Sequence, residues 1–354
     1  MGNERVGNIE TGAARLAAGR VHMARKRRRL FALAGAGLAV ILAIGWLVQV
    51  RWLRPWSVAV GKVEGSLPAG RLLMSAQTVV GRNQGTRNGV RKFEPAGGAI
   101  LLADLRDGSS QVLVDRVALD ARLSPDGRVL AYNTDDQEVW IFRMGSAEPE
   151  SIPNLRGIPV WMPDGALVCT HSRTLLHPDD QIGPTYRVTF DGLERTVVPV
   201  PESDEVYDVS PDGRWLLTTS GRHAPQRVGY QTYLIAIDGS EERRLTPDGF
   251  NLFPRFTPDG RHVIFTRAQG KLSAICRMNL DGSGLTTLIS GLSPDAKARP
   301  TPDGSHLLVH ERTRLFLTDA EGRNPRPIPV SCRPLGMPID VEPLCIGAAE
   351  WVAK

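Results

Sequence analysis

Seven histidines and four cysteines are the side chains of this 354-residue chain best suited to hold a metal or to attack a carbonyl. Their spacing assigns neither role. The chain has no Cys-x-x-Cys, no His-Glu-x-x-His and no Gly-x-Ser-x-Gly. Cys169 and Cys276 sit in apolar runs and read as core residues. Cys332 and Cys345 fall in the Pro-rich tail 331–354, where an oxidising compartment would make them disulfide candidates. We therefore expect no catalytic residue, no metal ligand and no cofactor. The remaining acidic residues that recur, the Asp of several Pro-Asp-Gly triplets, look like turn formers rather than acid–base pairs.

Those triplets define the elements that position everything else. Ser124-Pro125-Asp126-Gly127, Met162-Pro163-Asp164-Gly165, Ser210-Pro211-Asp212-Gly213, Thr257-Pro258-Asp259-Gly260 and Thr301-Pro302-Asp303-Gly304 are joined by a degenerate copy, Leu67-Pro68-Ala69-Gly70. In each, Pro presets φ, Asp can accept a backbone hydrogen bond and Gly supplies a positive φ. Three residues past each glycine stand Leu73, Leu130, Val168, Leu216, Val263 and Leu307. Four past it stand Met74, Ala131, Cys169, Leu217, Ile264 and Leu308. Adjacent positions that are both apolar in six copies imply a strand buried on both faces.

A second turn alternates with the first, at Asp107-Gly108, Met144-Gly145, Asp191-Gly192, Asp238-Gly239, Asp281-Gly282 and Glu321-Gly322. From a second-turn glycine to the next first-turn glycine the interval is 19 to 22 residues, whereas the reverse interval runs from 18 to 38. Four strands per unit account for this, with turns joining a to b and c to d, a near-constant d–a link and a variable b–c loop. Residues 66–330 then hold six units of about 44 residues, the size of a propeller blade. The fold class is all-β, a six-bladed β-propeller.

The segment Leu245–Phe265, Leu-Thr-Pro-Asp-Gly-Phe-Asn-Leu-Phe-Pro-Arg-Phe-Thr-Pro-Asp-Gly-Arg-His-Val-Ile-Phe, resembles the repeat of the TolB-type propeller family, a relative of the WD-repeat propellers. The resemblance covers residues 66–330. It implies a six-bladed ring used for protein or peptide binding in the bacterial cell envelope. The α/β domain that precedes the propeller in TolB itself has no counterpart here, so TolB's own partner does not carry over.

In such a ring the b–c loops and d–a links share one face, opposite the tight turns. Length variation makes that face the expected recognition surface. Its candidate binding residues are Arg82, Arg87, Arg91 and Lys92 in the first b–c loop, Arg222 and Arg227 in the fourth, and Arg267 and Lys271 in the fifth. They would suit a protein or peptide ligand bearing acidic groups. His171, His177 and His223 lie in neighbouring loops, which leaves an alternative open: a polysaccharide-degrading or other metal-assisted enzyme with its site near the central channel.

The net charge of +5 resides at the N-terminus. Residues 1–29 carry eight basic and two acidic side chains, which leaves the other residues at about −1 and argues against a nucleic-acid partner. Leu30–Val48 is uncharged over nineteen residues, about 28 Å as a helix, close to the thickness of a hydrocarbon core. With Arg25–Arg29 before it and Trp46, Trp52 and Trp56 at its far end, it reads as a signal-anchor. The expected organisation is a cytoplasmic segment 1–29, a transmembrane helix 30–50, a juxtamembrane linker 51–65, the propeller 66–330 outside the cytoplasm, and the tail 331–354. Two segments compete for the inner strand of the first blade, Ser57–Val63 and Ile346–Val352. The second is expected to win, because Trp351 fits the place of Leu123, Trp161, Val209 and Phe256.

Overall fold

The glycine that closes each Pro-Asp-Gly turn adopts the left-handed backbone its place demands. In the computed structural model, which describes residues 56–352 except 64, 66, 69, 88–89, 135, 171–182, 191–193, 224–228, 312–313 and 335–345, φ is +72° at Gly213 and +66° at Gly260. The Gly213 N–H donates to Ser210 O at 2.8 Å. Asp212 accepts from the Arg214 N–H at 3.1 Å and from the Ser210 hydroxyl at 2.5 Å. The tetrapeptide is thus locked by its own side chains, and a strand leaves it on either side.

Twenty-four of the strands build six four-stranded antiparallel blades. After β1 (Trp56–Val60), the first blade holds β2 (Arg71–Arg87), β3 (Val90–Asp104) and β4 (Ser109–Val114). The second holds β5 (Asp120–Leu123), β6 (Val129–Asn133), β7 (Glu138–Arg143) and β8 (Glu150–Arg156), and the third β9 (Pro159–Trp161), β10 (Leu167–Thr170), β11 (Thr185–Val188) and β12 (Arg195–Val198). The fourth holds β13 (Asp204–Val209), β14 (Trp215–Ser220), β15 (Gln231–Ala236) and β16 (Glu242–Arg244). The fifth holds β17 (Asn251–Phe256), β18 (His262–Gln269), β19 (Leu272–Asn279) and β20 (Thr286–Leu292). The sixth holds β21 (Lys297–Pro300), β22 (His306–Glu311), β23 (Arg314–Asp319) and β24 (Arg326–Ile328). Then come β25 (Val330–Pro334), which pairs with β1 as a separate two-stranded sheet, and β26 (Ile346–Val352).

The ring closes through β26, the inner strand of the first blade. Trp351 lies opposite Leu72, as Trp161 lies opposite Leu167 in the third. Gly70 is required by this closure. A Cβ there would stand 2.2 Å from Val352 O and 2.6 Å from the Trp351 indole nitrogen. Of the competing segment Ser57–Val63, residues up to Val60 belong to β1 outside the blades, and Val63 packs into the core between the sixth and first blades.

Six apolar clusters fill the spaces between neighbouring blades. Leu308 and Leu317 meet Leu72 and Trp351 between the sixth and the first. Leu73 and Val352 meet Leu130 and Tyr132 in the next space, so the successive residues Trp351 and Val352 serve opposite faces of one strand. The register of the repeats needs one correction. In the first and third blades the residue paired with the inner strand's Trp351 or Trp161 stands two positions after the turn glycine, not three, so Leu72 and Leu167, not Leu73 and Val168, match Leu130. A one-residue slip reverses the face, and Cys169 packs towards the second blade with Ala131 and Ile141. It is fully buried, as is Cys276; burial pushes both thiols up.

Leu30–Val48 lies outside the described residues, among which no helix is long and apolar enough to cross a membrane. Cys332 lies on β25, opposite Val58, while Cys345 falls outside the described residues.

Candidate ligand sites on the variable face and at the ring axis

The basic residues expected on the variable face have diverse fates. Arg222 is half-sunk, its guanidinium 4.1 Å above the Tyr233 ring and paired with Asp204 at 3.0 Å and Glu242 at 2.6 Å. Asp204 is fully buried and accepts from the Thr218 and Ser203 hydroxyls at 3.0 and 3.1 Å. Its carboxyl is pushed up by burial, against the hydrogen bonds and the nearby Arg222 charge. Arg222 therefore ties the fourth blade together. Arg267 pairs with Asp248 at 2.5 Å, and Lys271 is exposed beside Gly270 in the β18–β19 turn.

Arg82 and Arg87 lie on β2, and Arg91 and Lys92 on β3. Those strands continue as a two-stranded ribbon beyond the register of β26 and β4, with Gln84 opposite Lys92 and Arg87 opposite Val90. The expected loop is a β-hairpin. Arg227, His171 and His177 fall outside the described residues. His223 is not set among metal donors; its Nδ1 lies 2.9 Å from the Tyr233 hydroxyl. Among the described residues no three His, Cys, Asp or Glu side chains are grouped to hold a metal ion.

Two aromatic residues on this face escaped the sequence reading. Tyr230, from the fourth b–c loop, and Phe250, from the link into the fifth blade, are 44% and 37% exposed. Their rings meet edge to face, with centroids 5.1 Å apart, and their backbones bridge each other. Gly249 and Arg267 adjoin them. Large rings held rigidly in water next to an arginine are the composition of an interface hot spot.

A second unforeseen constellation occupies the ring axis. Each inner strand presents one residue five positions before its turn glycine: Arg122, Val160, Asp208, Arg255 and Arg299, with Glu350 in the matching place beside Trp351. Five of the six blades thus aim a charge at the centre. Arg299 grips Asp120 of the second blade at 2.9 and 3.1 Å and Glu350 of the first at 3.0 Å. Arg122 lies 3.8 Å from both Asp120 and Asp208. Its Nη2 donates to Tyr207 O at 2.9 Å, and Arg255 Nη1 donates to that same oxygen. Asp208 accepts from the Phe256 N–H at 2.8 Å, and the Trp161 indole N–H donates to Arg122 O at 3.0 Å.

Burial would raise the Asp120 carboxyl, but Arg299, then Arg122, Arg255 and Lys297, hold it well below the usual range. Glu350 is pushed up, burial outweighing Arg299. Two inner strands also bulge at equivalent points, β13 at Tyr207 and β17 at Phe253. Phe253 adopts φ +54°, a strained backbone for a bulky side chain. Its ring meets Tyr207 edge to face at 5.9 Å and carries the Lys297 ammonium 4.7 Å from its centroid.

No family model matches the chain. The solved structure of TolB from Acinetobacter baumannii superposes on 82% of it and 68% of that chain, with a TM-score of 0.60 at 16% identity. The chain folds as a TolB-type propeller. A 61-residue stretch is 41% identical to the Tol-Pal system protein TolB of Geobacter sulfurreducens, but this is 17% of the chain and 14% of that protein. The likeness is thus to the TolB propeller and not to TolB as a whole. An uncharacterized protein of Agrobacterium fabrum is 26% identical over 191 residues; the match spans 48% of this chain and 60% of that relative's length.

Proposed function

We propose that the chain is a membrane-anchored propeller outside the cytoplasm that holds a protein or peptide segment on its variable face. The observation that carries the binding reading is the exposed Tyr230–Phe250 pair. Two blades cooperate to hold it rigid, so little conformational entropy is lost when a partner covers it. Lys271, exposed in the β18–β19 turn, favours a segment carrying acidic side chains. The anchor rests on the uncharged run Leu30–Val48 with the basic run before it.

Replacing both rings, Tyr230→Ala with Phe250→Ala, is expected to abolish capture of the partner in membrane crosslinking while the domain stays folded, at a cost of about 1–2 kcal/mol from the lost ring pair. A reporter fused after Lys354 is expected to be active only outside the cytoplasm. Cytoplasmic activity of that fusion would overturn the location.

A further inference from the structure

At the ring axis two guanidinium groups converge, Arg122 with only two long ion pairs, 3.8 Å to Asp120 and 3.8 Å to Asp208, and Arg255 with a carbonyl in place of a carboxylate. Arg122 and Arg255 are 5% and 7% exposed, come from the second and fifth blades, and converge on the single neutral oxygen of Tyr207. Neither placement is self-sufficient. Arg255 makes no ion pair with any described residue; its hydrogen bonds go to the main-chain carbonyls of Tyr207 and Pro254. Arg122 Nε is buried with no hydrogen-bond acceptor, its nearest carboxylate oxygen lying 3.8 Å away on Asp120. Buried donors left unmatched are costly, and unmatched charges more so.

Burial, then the Arg122 and Arg299 charges, loosen the hold of Arg255 on its proton. The side chains of Asp208 and Glu350 retain 21% and 30% exposure, so the cluster communicates with solvent.

We infer that the ring axis is a binding site for an oxyanion, a carboxylate or phosphate group, held between the guanidinium groups of Arg122 and Arg255. Arginine presents its N–H groups as a planar fork that such oxygens match two at a time. The aromatic wall of Phe253 and Tyr207 beside the cluster limits water around the bound group and strengthens the attraction. The site is separate from the Tyr230–Phe250 surface and does not depend on it.

The test is calorimetric titration of the full-length protein with inorganic phosphate and, separately, with acetate, at ionic strength held constant by sodium chloride. At least one should bind saturably with one site per chain. Which anion binds assigns the source, phosphoryl or carboxylate. Affinity should fall tenfold or more in Arg255→Met, and also in Arg122→Lys, which keeps the charge but loses the fork. It should be unchanged in Arg267→Met. No saturable binding of either anion to the wild-type protein overturns the site, as does equal affinity in a folded Arg255→Met or Arg122→Lys variant. Capture of a partner at Phe250 is read independently, so either conclusion can fail alone.

Discussion

Arg122 and Arg255 donate hydrogen bonds to one oxygen, the main-chain carbonyl of Tyr207. The two belong to blades separated by two others, and Tyr207 belongs to the blade just before that of Arg255. A propeller brings its inner strands together at one axis, so residues 133 positions apart meet there because each occupies the same slot before its turn. The shared slot also makes the axis the point where the ring is fastened to itself. Arg299 of the last blade holds Glu350 of the closing strand and Asp120 of the blade beyond it.

Arg299→Met should therefore be among the most destabilising single changes in the domain. It leaves Asp120 buried beside a lost partner, which costs about 3–5 kcal/mol. Glu350→Gln should cost much less, because that carboxylate is partly exposed and already pushed towards its neutral form. Urea unfolding of the two variants checks the ranking.

The turn glycines give a sharper contrast. Gly213→Val or Gly260→Val places a β-branched side chain at a positive φ and should cost about 1–3 kcal/mol. Gly221→Val should cost less, since φ there is not positive and the nearest atom to an added Cβ is Gly229 O at 3.5 Å. Equal losses at the three sites, measured by thermal unfolding, would contradict the turn assignment.

Removal of residues 346–354 takes away the inner strand of the first blade and exposes Leu72 and the edge of β2. Aggregation and a large fall in Tm are expected. Removing 57–63 deletes the partner of β25 and one buried side chain, Val63, but no strand of a blade, so the loss should be smaller. The reverse ranking would contradict closure by the tail.

Acid should loosen the turns. The Ser124, Ser210 and Thr257 hydroxyls, with backbone N–H groups, hold Asp126, Asp212 and Asp259 below the usual carboxylate value. A carboxyl whose folded pKa is depressed contributes stability above its unfolded value, about 4, and loses it as pH falls through the folded value. Asp212→Asn should accordingly flatten the acid side of the stability profile without moving the neutral plateau's pH dependence.

The ring itself was legible in the sequence because Pro-Asp-Gly fixes a backbone conformation and so repeats visibly. What the turns could not specify was how many residues separate the glycine from the residue that pairs with the Trp351 or Trp161 place on the inner strand. One fewer in the first and third blades reversed the faces of Leu73 and Val168, although every position named in the repeat is buried either way. Closure by Trp351 was readable, since a large apolar residue had to occupy that inner-strand place. The axis was missed. Arg122, Arg255 and Arg299 each look like an isolated charge between apolar neighbours, and only superposing the turns shows that they share a slot. Arg222 and Arg267 looked available for a ligand because their partners Asp204, Glu242 and Asp248 lie 18 to 20 residues away, beyond local inspection. Tyr230 and Phe250 gave no signal at all, since neither belongs to a repeated position.

Binding on the variable face is tested most directly by a photo-crosslinking amino acid placed at Phe250, with the same group at Asp259 in the exposed turn on the opposite face as the reference. Binding on this face predicts one discrete adduct in intact cells from position 250, lost when Tyr230 is also replaced by alanine, and none from position 259. An adduct from position 259 with none from position 250 would contradict it.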